Sequence, residues 1–202
     1  MIKKIESHSL EDYLLNEKNL QNENGIIIID AVREIIQEVK DSGNEALLKF
    51  INKHEGKKLK SIDEVLFNQD FLEDKFNSLS DKDRNMLIYM ADRIEKFHNN
   101  DIRLSEELED DAVEKYGYFL RPIDKVGLYA PGGKAQYPSS VLMTGVLAKL
   151  AGVNEITVMF PGKIDDLNLM FAASHLIGAK NVLNSGGTVS YTHLRAHETS
   201  GY

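Results

Sequence analysis

Cysteine is absent from all 202 residues, which excludes disulfides and thiolate metal sites alike. Long apolar runs are missing too. None approaches the roughly 18 residues of a membrane span, and the opening stretch MIKKIESHSLEDYLL has no long apolar core behind its lysines. On this reading there is neither a membrane span nor a signal peptide, and the cytoplasm is the expected compartment. Basic residues are outnumbered, 24 against 32 acidic ones, for a formal charge of -8. That balance opposes binding to a phosphate backbone, so nucleic acid is not an expected partner. Internal repeats and low-complexity tracts are also lacking. What is present, 42% hydrophobic and 28% charged residues, is ordinary for a soluble globular protein. The length suits one large domain or two small ones.

Leu10 to Leu20 reads as a short, polar helical arm, and Ile26 to Ile29 as a brief apolar run. Asp30 can cap a following helix in which Val32, Ile35, Ile36 and Val39 share one face. Ser42-Gly43-Asn44 breaks that helix. Leu47, Leu48 and Ile51 mark the next one, ended by Gly56, so the two helices form an antiparallel pair. Ser80 and Asp83 resemble a capping box ahead of a helix lined by Leu87, Met90, Ile94 and Phe97, with His98 at its end. Ser105 to Lys115 holds six acidic residues and reads as a solvated face, and Tyr116 to Leu120 as a strand or hairpin arm. Beyond a boundary near Pro122 to Lys125 the period changes. Strands near 126–130, 156–160 and 181–185 alternate with helices near 138–152 and 165–177. Leu167, Met170, Phe171, Ser174 and Ile177 form the inward face of the second helix, and Gly178 ends it. This order predicts a parallel sheet.

The first strand runs into Pro131-Gly132-Gly133-Lys134, and a helix opens near Pro138. Ligands of α/β sheets gather where a strand's carboxyl end meets a turn and a helix N-terminus. Gly132 and Gly133 permit positive φ and a close backbone approach, Tyr129 offers a flat ring and a hydroxyl, and Lys134, Ser139 and Ser140 add polar groups. Known phosphate motifs fail here. Leu128 and Ala135 break the G-x-x-x-x-G-K-[ST] pattern, and G-x-G-x-x-G is absent. Spacing alone leaves both a ligand-binding turn and a structural connection open. His54 and His175 stand alone and read as surface or packing residues. His193 and His197 have metal-ligand spacing on a helix, but Leu194 stands where a metalloprotease needs glutamate.

The run Gly127-Leu128-Tyr129-Ala130-Pro131-Gly132-Gly133, followed by Val141-Leu142-Met143, resembles the histidinol dehydrogenase family. Weaker agreement runs through Val32–Val39, Gly43 to Leu47 and Ile94–His98, and on to Gly186-Gly187, covering roughly residues 10 to 187. The resemblance implies oxidation of L-histidinol through L-histidinal to L-histidine, with two NAD reduced in sequence. It also implies a zinc ion that holds the substrate, a Glu-His acid–base pair, and a homodimer of two α/β domains. Tyr129 matches a family tyrosine that contacts NAD, and with Pro131, Gly132 and Gly133 of the glycine turn it makes up the expected NAD-binding set.

The family's chain is about twice this long, and its zinc ligands and Glu-His pair match nothing here. No residue of this sequence is therefore assigned a catalytic or metal role. After Gly-Gly the family continues Ala-Gln-Ala-Ile-Ala-Ala. This chain reads Thr188-Val189-Ser190-Tyr191-Thr192-His193, which resembles a translated adapter read-through. The expectation is that the frame leaves the gene near Gly187 or Thr188, making the paired histidines an accident. The expected organisation is a helical arm (1–24), part of a helix-rich first α/β domain (25–123), an incomplete Rossmann-like nucleotide-binding domain (124–187) and a non-family tail (188–202). Function follows: a piece of an NAD- and zinc-dependent histidinol dehydrogenase, inactive alone. The alternative is a non-catalytic nucleotide- or partner-binding module.

Overall fold

A computed structural model describes the backbone of residues 10–101, 105–110, 113–132 and 135–186, with side chains outside 10–31, 101 and 106–115. The fold is α/β. Strands β4 (Lys125–Tyr129), β5 (Glu155–Met159) and β6 (Asn181–Leu183) run parallel, and β1 (Leu66–Asn68) adds to β6 antiparallel, giving the order β1-β6-β5-β4. The predicted β-α-β-α-β run is present, with α4 (Pro138–Leu150) and α5 (Asn168–Leu176) as its crossovers.

Strand alternation sorts side chains to two faces. Ile156, Val158 and Phe160 point to the same cluster as Leu142, Met170 and Phe171. Met159 and Leu183 join a second cluster with Val39, Leu47, Phe50 and Ile51 of helix α1 (Leu10–Glu55). The sheet is thus sandwiched, with α4 and α5 on one face and α1 on the other. Gly145 lets α4 lie close to α5, since a Cβ there would come within 2.2 Å of Ile177 Cδ1.

Packing crosses the stretch 122–125. Helix α2 (Gln69–Asn77) lies on α5, and α3 (Asp81–His98) on α4, so β1, α2 and α3 share the core of the later strands. Phe67, Phe71, Phe160 and Phe171 meet there with ring centroids 4.4–5.2 Å apart, Phe67 stacked on Phe71 and the other pairs edge-on, contacts that add to simple area burial. Asn68 Oδ1 caps α2 by accepting from Phe71 N at 3.2 Å.

Helix α1 differs from the sequence reading at one end and agrees at the other. Its backbone is helical straight through Gly25 and Ile26 to Ile29, so Asp30 lies inside the helix instead of capping it. A glycine costs a helix about 1 kcal/mol, too little to break it unaided. Gly43 does break it, with φ 55 and ψ -129. Glu38 and Lys49, 11 positions apart, form an ion pair across that point. In a straight helix they would stand about 16 Å apart along the axis, so the chain bends back there.

At Ser80 the hydroxyl accepts from Asp83 N, but it also donates to the Asp83 carboxylate. The full reciprocal box is at Ser61 and Glu64, which the sequence reading passed over. Phe97 was expected on the inner face of α3 and is 72% exposed. Helix α3 has 18 residues against 13 in α4, and its last turn outruns the cover. The acidic run forms a hairpin of β2 (Glu106–Asp110) and β3 (Val113–Tyr118), closed by Leu120 N donating to Ser105 Oγ at 2.8 Å. Among the described residues no helix is long and apolar enough to cross a membrane.

Candidate functional site

The three parallel strands end together. Ala130–Gly132 leaves β4, Phe160–Gly162 leaves β5, and Asn184–Gly186 leaves β6. Ladder bonds continue one residue past each strand: Ala130 N donates to Met159 O at 2.9 Å, Phe160 N to Leu183 O at 3.3 Å, and Asn184 N to Val65 O at 2.8 Å. The backbone is therefore fixed up to the rim of the crevice.

Gly132 is needed for close approach, not for its dihedral freedom. A Cβ there would lie 2.3 Å from Pro161 O. The positive φ anticipated at this glycine is instead found across the crevice at Gly162, with φ 136. Gly133 and Lys134 lie outside the described residues, as do His193 and His197. After the turn, Gln136 Oε1 accepts from Leu169 N at 2.9 Å and Tyr137 N donates to Met170 Sδ at 3.1 Å. These bonds stitch the entry of α4 to the start of α5. Pro138 occupies the first turn of α4, and no side chain caps it. Its early N–H groups carry the helix dipole's positive end, and Ser139 and Ser140 are half-buried beside it.

Tyr129 is half-buried and packs against the cluster beneath α1. It stands in register with Met159, which pairs in turn with Leu183, so one row crosses the sheet on the α1 face. Part of its ring surface is thereby occupied from within the fold. Pro131, next along, is exposed. The other singled-out histidines lie elsewhere in aromatic contacts, His54 stacked on Phe50 at 6.1 Å, His175 on Phe76 at 5.0 Å, and His98 edge-on to Phe97 at 5.0 Å.

One group at this crevice escaped the sequence reading. Glu55, the last residue of α1, accepts from Ser185 Oγ at 2.6 Å and Gly186 N at 2.7 Å through Oε1, and pairs through Oε2 with Lys57 Nζ at 2.8 Å. Lys57 Nζ also donates to Asn184 O at 3.0 Å and to Asn184 Oδ1 at 3.3 Å. Asn184 Nδ2 completes the chain by donating to Phe160 O at 3.1 Å. Burial works to raise the Glu55 pKa, but donors from Lys57, Ser185 and Gly186 outweigh it and hold the carboxyl below the ordinary value. One signal was available in the sequence. A carboxylate in a helix's last turn faces the dipole's negative end, which disfavours it unless a tertiary partner compensates.

Ala130, Gly132, Gly162 and Gly186 place small residues at the rim beside Tyr129. Among the described residues no group of three or more histidine, aspartate or glutamate side chains is disposed to hold a metal ion. A cleft of about 410 Å³, lined by Asp63, Leu66, Phe67, Asn68, Phe71 and Asn181, opens at β1, the sheet edge opposite β4.

A family model described as histidinol dehydrogenase matches residues 17–194, slightly past the Gly186-Gly187 limit read from the sequence. Histidinol dehydrogenase of Prochlorococcus marinus is 37% identical over 171 residues, 84% of this chain and 38% of that protein. The enzyme of Neisseria meningitidis serogroup A is 34% identical over 157 residues, 77% of this chain and 37% of its own. The crystal structure of histidinol dehydrogenase from Elizabethkingia anophelis superposes with a TM-score of 0.69 at 25% identity, covering 95% of this chain and 40% of that one. The chain thus spans about two fifths of the relatives it matches. With the family model covering most of its length and the fold agreeing, the chain belongs to the histidinol dehydrogenase family, a family of oxidoreductases.

Proposed function

We propose that the crevice at the carboxyl ends of β4, β5 and β6 is part of the NAD site of a zinc-dependent histidinol dehydrogenase that oxidises L-histidinol to L-histidine via L-histidinal. The observation that carries the reading is the close approach of Gly132 to the Pro161 carbonyl, directly after Tyr129, at the mouth of a parallel sheet. That arrangement leaves backbone, not side chains, facing the ligand.

In this reading the part of Tyr129 not packed against the α1 cluster contacts the nucleotide, Pro131 and Gly132 line its path, and the start of α4, which no side chain caps, faces its phosphates. NAD, when bound, accepts the hydride. In this reading the zinc ligands and the proton-handling pair lie in a part of the enzyme that the described residues do not supply. Alone, the 202-residue chain then binds cofactor without oxidising histidinol. Full-length family members in this reading are cytoplasmic homodimers.

Calorimetry with NAD tests the reading. Wild-type chain is expected to bind, with affinity reduced about tenfold by Tyr129→Ala, the loss of one aromatic contact of roughly 1.4 kcal/mol. No heat at millimolar NAD would overturn the site. NADH production from histidinol and zinc by the chain alone would overturn its inactivity. Binding unaffected by Tyr129→Ala would remove the tyrosine from the site.

A further inference from the structure

We infer that Glu55 is a positioning residue for the glycine turn: its carboxylate, seated on the end of β6, sets where Pro161 and, through it, Gly132 stand. Its consequence for cofactor affinity rests on the NAD reading above; its geometry does not.

Two lines of contact run from Glu55 to the turn. The first is polar. Glu55 fixes Ser185 and Gly186, while Lys57, held by the same carboxylate, fixes Asn184. Asn184 in turn donates to Phe160 O, which anchors the residue just before Pro161. Gly186 lies on Pro161 as well, since a Cβ on it would be 3.5 Å from Pro161 Cβ. On its other side the Pro161 carbonyl abuts Gly132 so closely that no side chain fits between them. Pro161 is therefore a wedge between two glycine segments, and the Glu55 network fixes the segment behind it.

The second line is apolar. Ile51 lies one helical turn before Glu55 and is fully buried in the cluster with Met159, Leu183 and Tyr129. Anchoring the end of α1 at β6 fixes the floor against which Tyr129 packs. A carboxylate suits this task because one group satisfies three donors at once, and its side chain is only 17% exposed. In such part-buried surroundings an acceptor shared by three donors is held more rigidly than a lone surface carboxylate.

The test compares the full chain, ¹⁵N-labelled, with its Glu55→Ala, Glu55→Gln and Val39→Ala variants. Val39 is buried in the same α1 cluster but makes none of the bonds to 184–186, so its truncation lowers stability without removing the network. Expected is a shift of the Gly132 and Tyr129 amide resonances in Glu55→Ala together with that of Gly186. In Glu55→Gln, which keeps a neutral acceptor but loses the Lys57 pairing, the shift is intermediate and in the same direction. Val39→Ala leaves Gly132 in place. NAD affinity falls about tenfold in Glu55→Ala and by less in Glu55→Gln, the cost of lost preorganisation.

Gly186 moving without Gly132 in either Glu55 variant would overturn the inference. So would an equal Gly132 shift in Val39→Ala, which would trace the effect to general loosening. Should Glu55→Ala fail to fold, the Gln variant decides alone. If the wild-type chain binds no NAD, the cofactor reading fails while the amide shifts still decide the positioning role.

Discussion

At the amino ends of the parallel strands Glu155 lies between Lys125 and Lys180, with Nζ–Oε2 distances of 3.5 and 3.0 Å. At the carboxyl ends Glu55 meets Lys57, Ser185 and Gly186. Both carboxyls are held below the ordinary value, for different reasons. For Glu155 the hydrogen bond from Lys180 leads, burial opposes it, and the charges of Lys125 and Lys180 reinforce it. For Glu55 burial is the largest influence and raises the value, and three donors reverse it. Two lysines in open solvent are interchangeable with water and salt. A backbone N–H, a hydroxyl and a part-buried ammonium are not, because solvent replaces their shared acceptor less readily. The sheet is thus loosely trimmed at one end and tightly specified at the other, where the glycine turn lies.

That contrast is sharpest at Gly132. Gly132→Ala drives a Cβ into backbone at 2.3 Å, and neither partner is the movable end of a side chain. A destabilisation of about 3 kcal/mol is expected in urea unfolding, with NAD binding lost; a variant as stable as wild type would show that the strand ends yield easily. Next comes Glu55→Ala, expected to cost about 2 kcal/mol because Ser185, Gly186 N–H and Lys57 lose their shared acceptor.

Acid should separate the two ends further. The folded pKa of Glu55 is depressed, so its contribution is complete above the ordinary carboxylate range and is lost as pH falls through the folded value. The stability gap between wild type and Glu55→Gln is expected to be constant near neutrality and to close on acidification, read by thermal melts across pH. A gap that widened in acid would reverse the assignment. Smallest is Glu155→Gln, expected to change stability by less than about 1 kcal/mol and to vanish in high salt. A larger, salt-resistant loss would erase the distinction between the ends.

Much of this was legible in the sequence. The β-α-β-α-β order, the inward face of α5 and the break at Gly43 are written in apolar spacing and in glycine, both local properties. The turn after Tyr129 was legible as a place, through strand, glycine and proline in succession. Its reason was not: Gly132 is required by Pro161, some thirty positions later, and nothing local announces that contact. Similarly β1 and α2 went unread because a three-residue strand has no period of its own and exists by pairing with β6.

The sequence by itself determined the alternation of strands and helices beyond residue 125, the break at Gly43 and that a glycine turn follows the first parallel strand, because those depend on neighbours within a few residues. Only the tertiary structure decided that α1 covers the face Tyr129 occupies, and that Glu55 reaches Gly186 across 131 positions. Such pairings are fixed by where the sheet brings distant chain ends together, and neither residue carries in its own surroundings the identity of its partner.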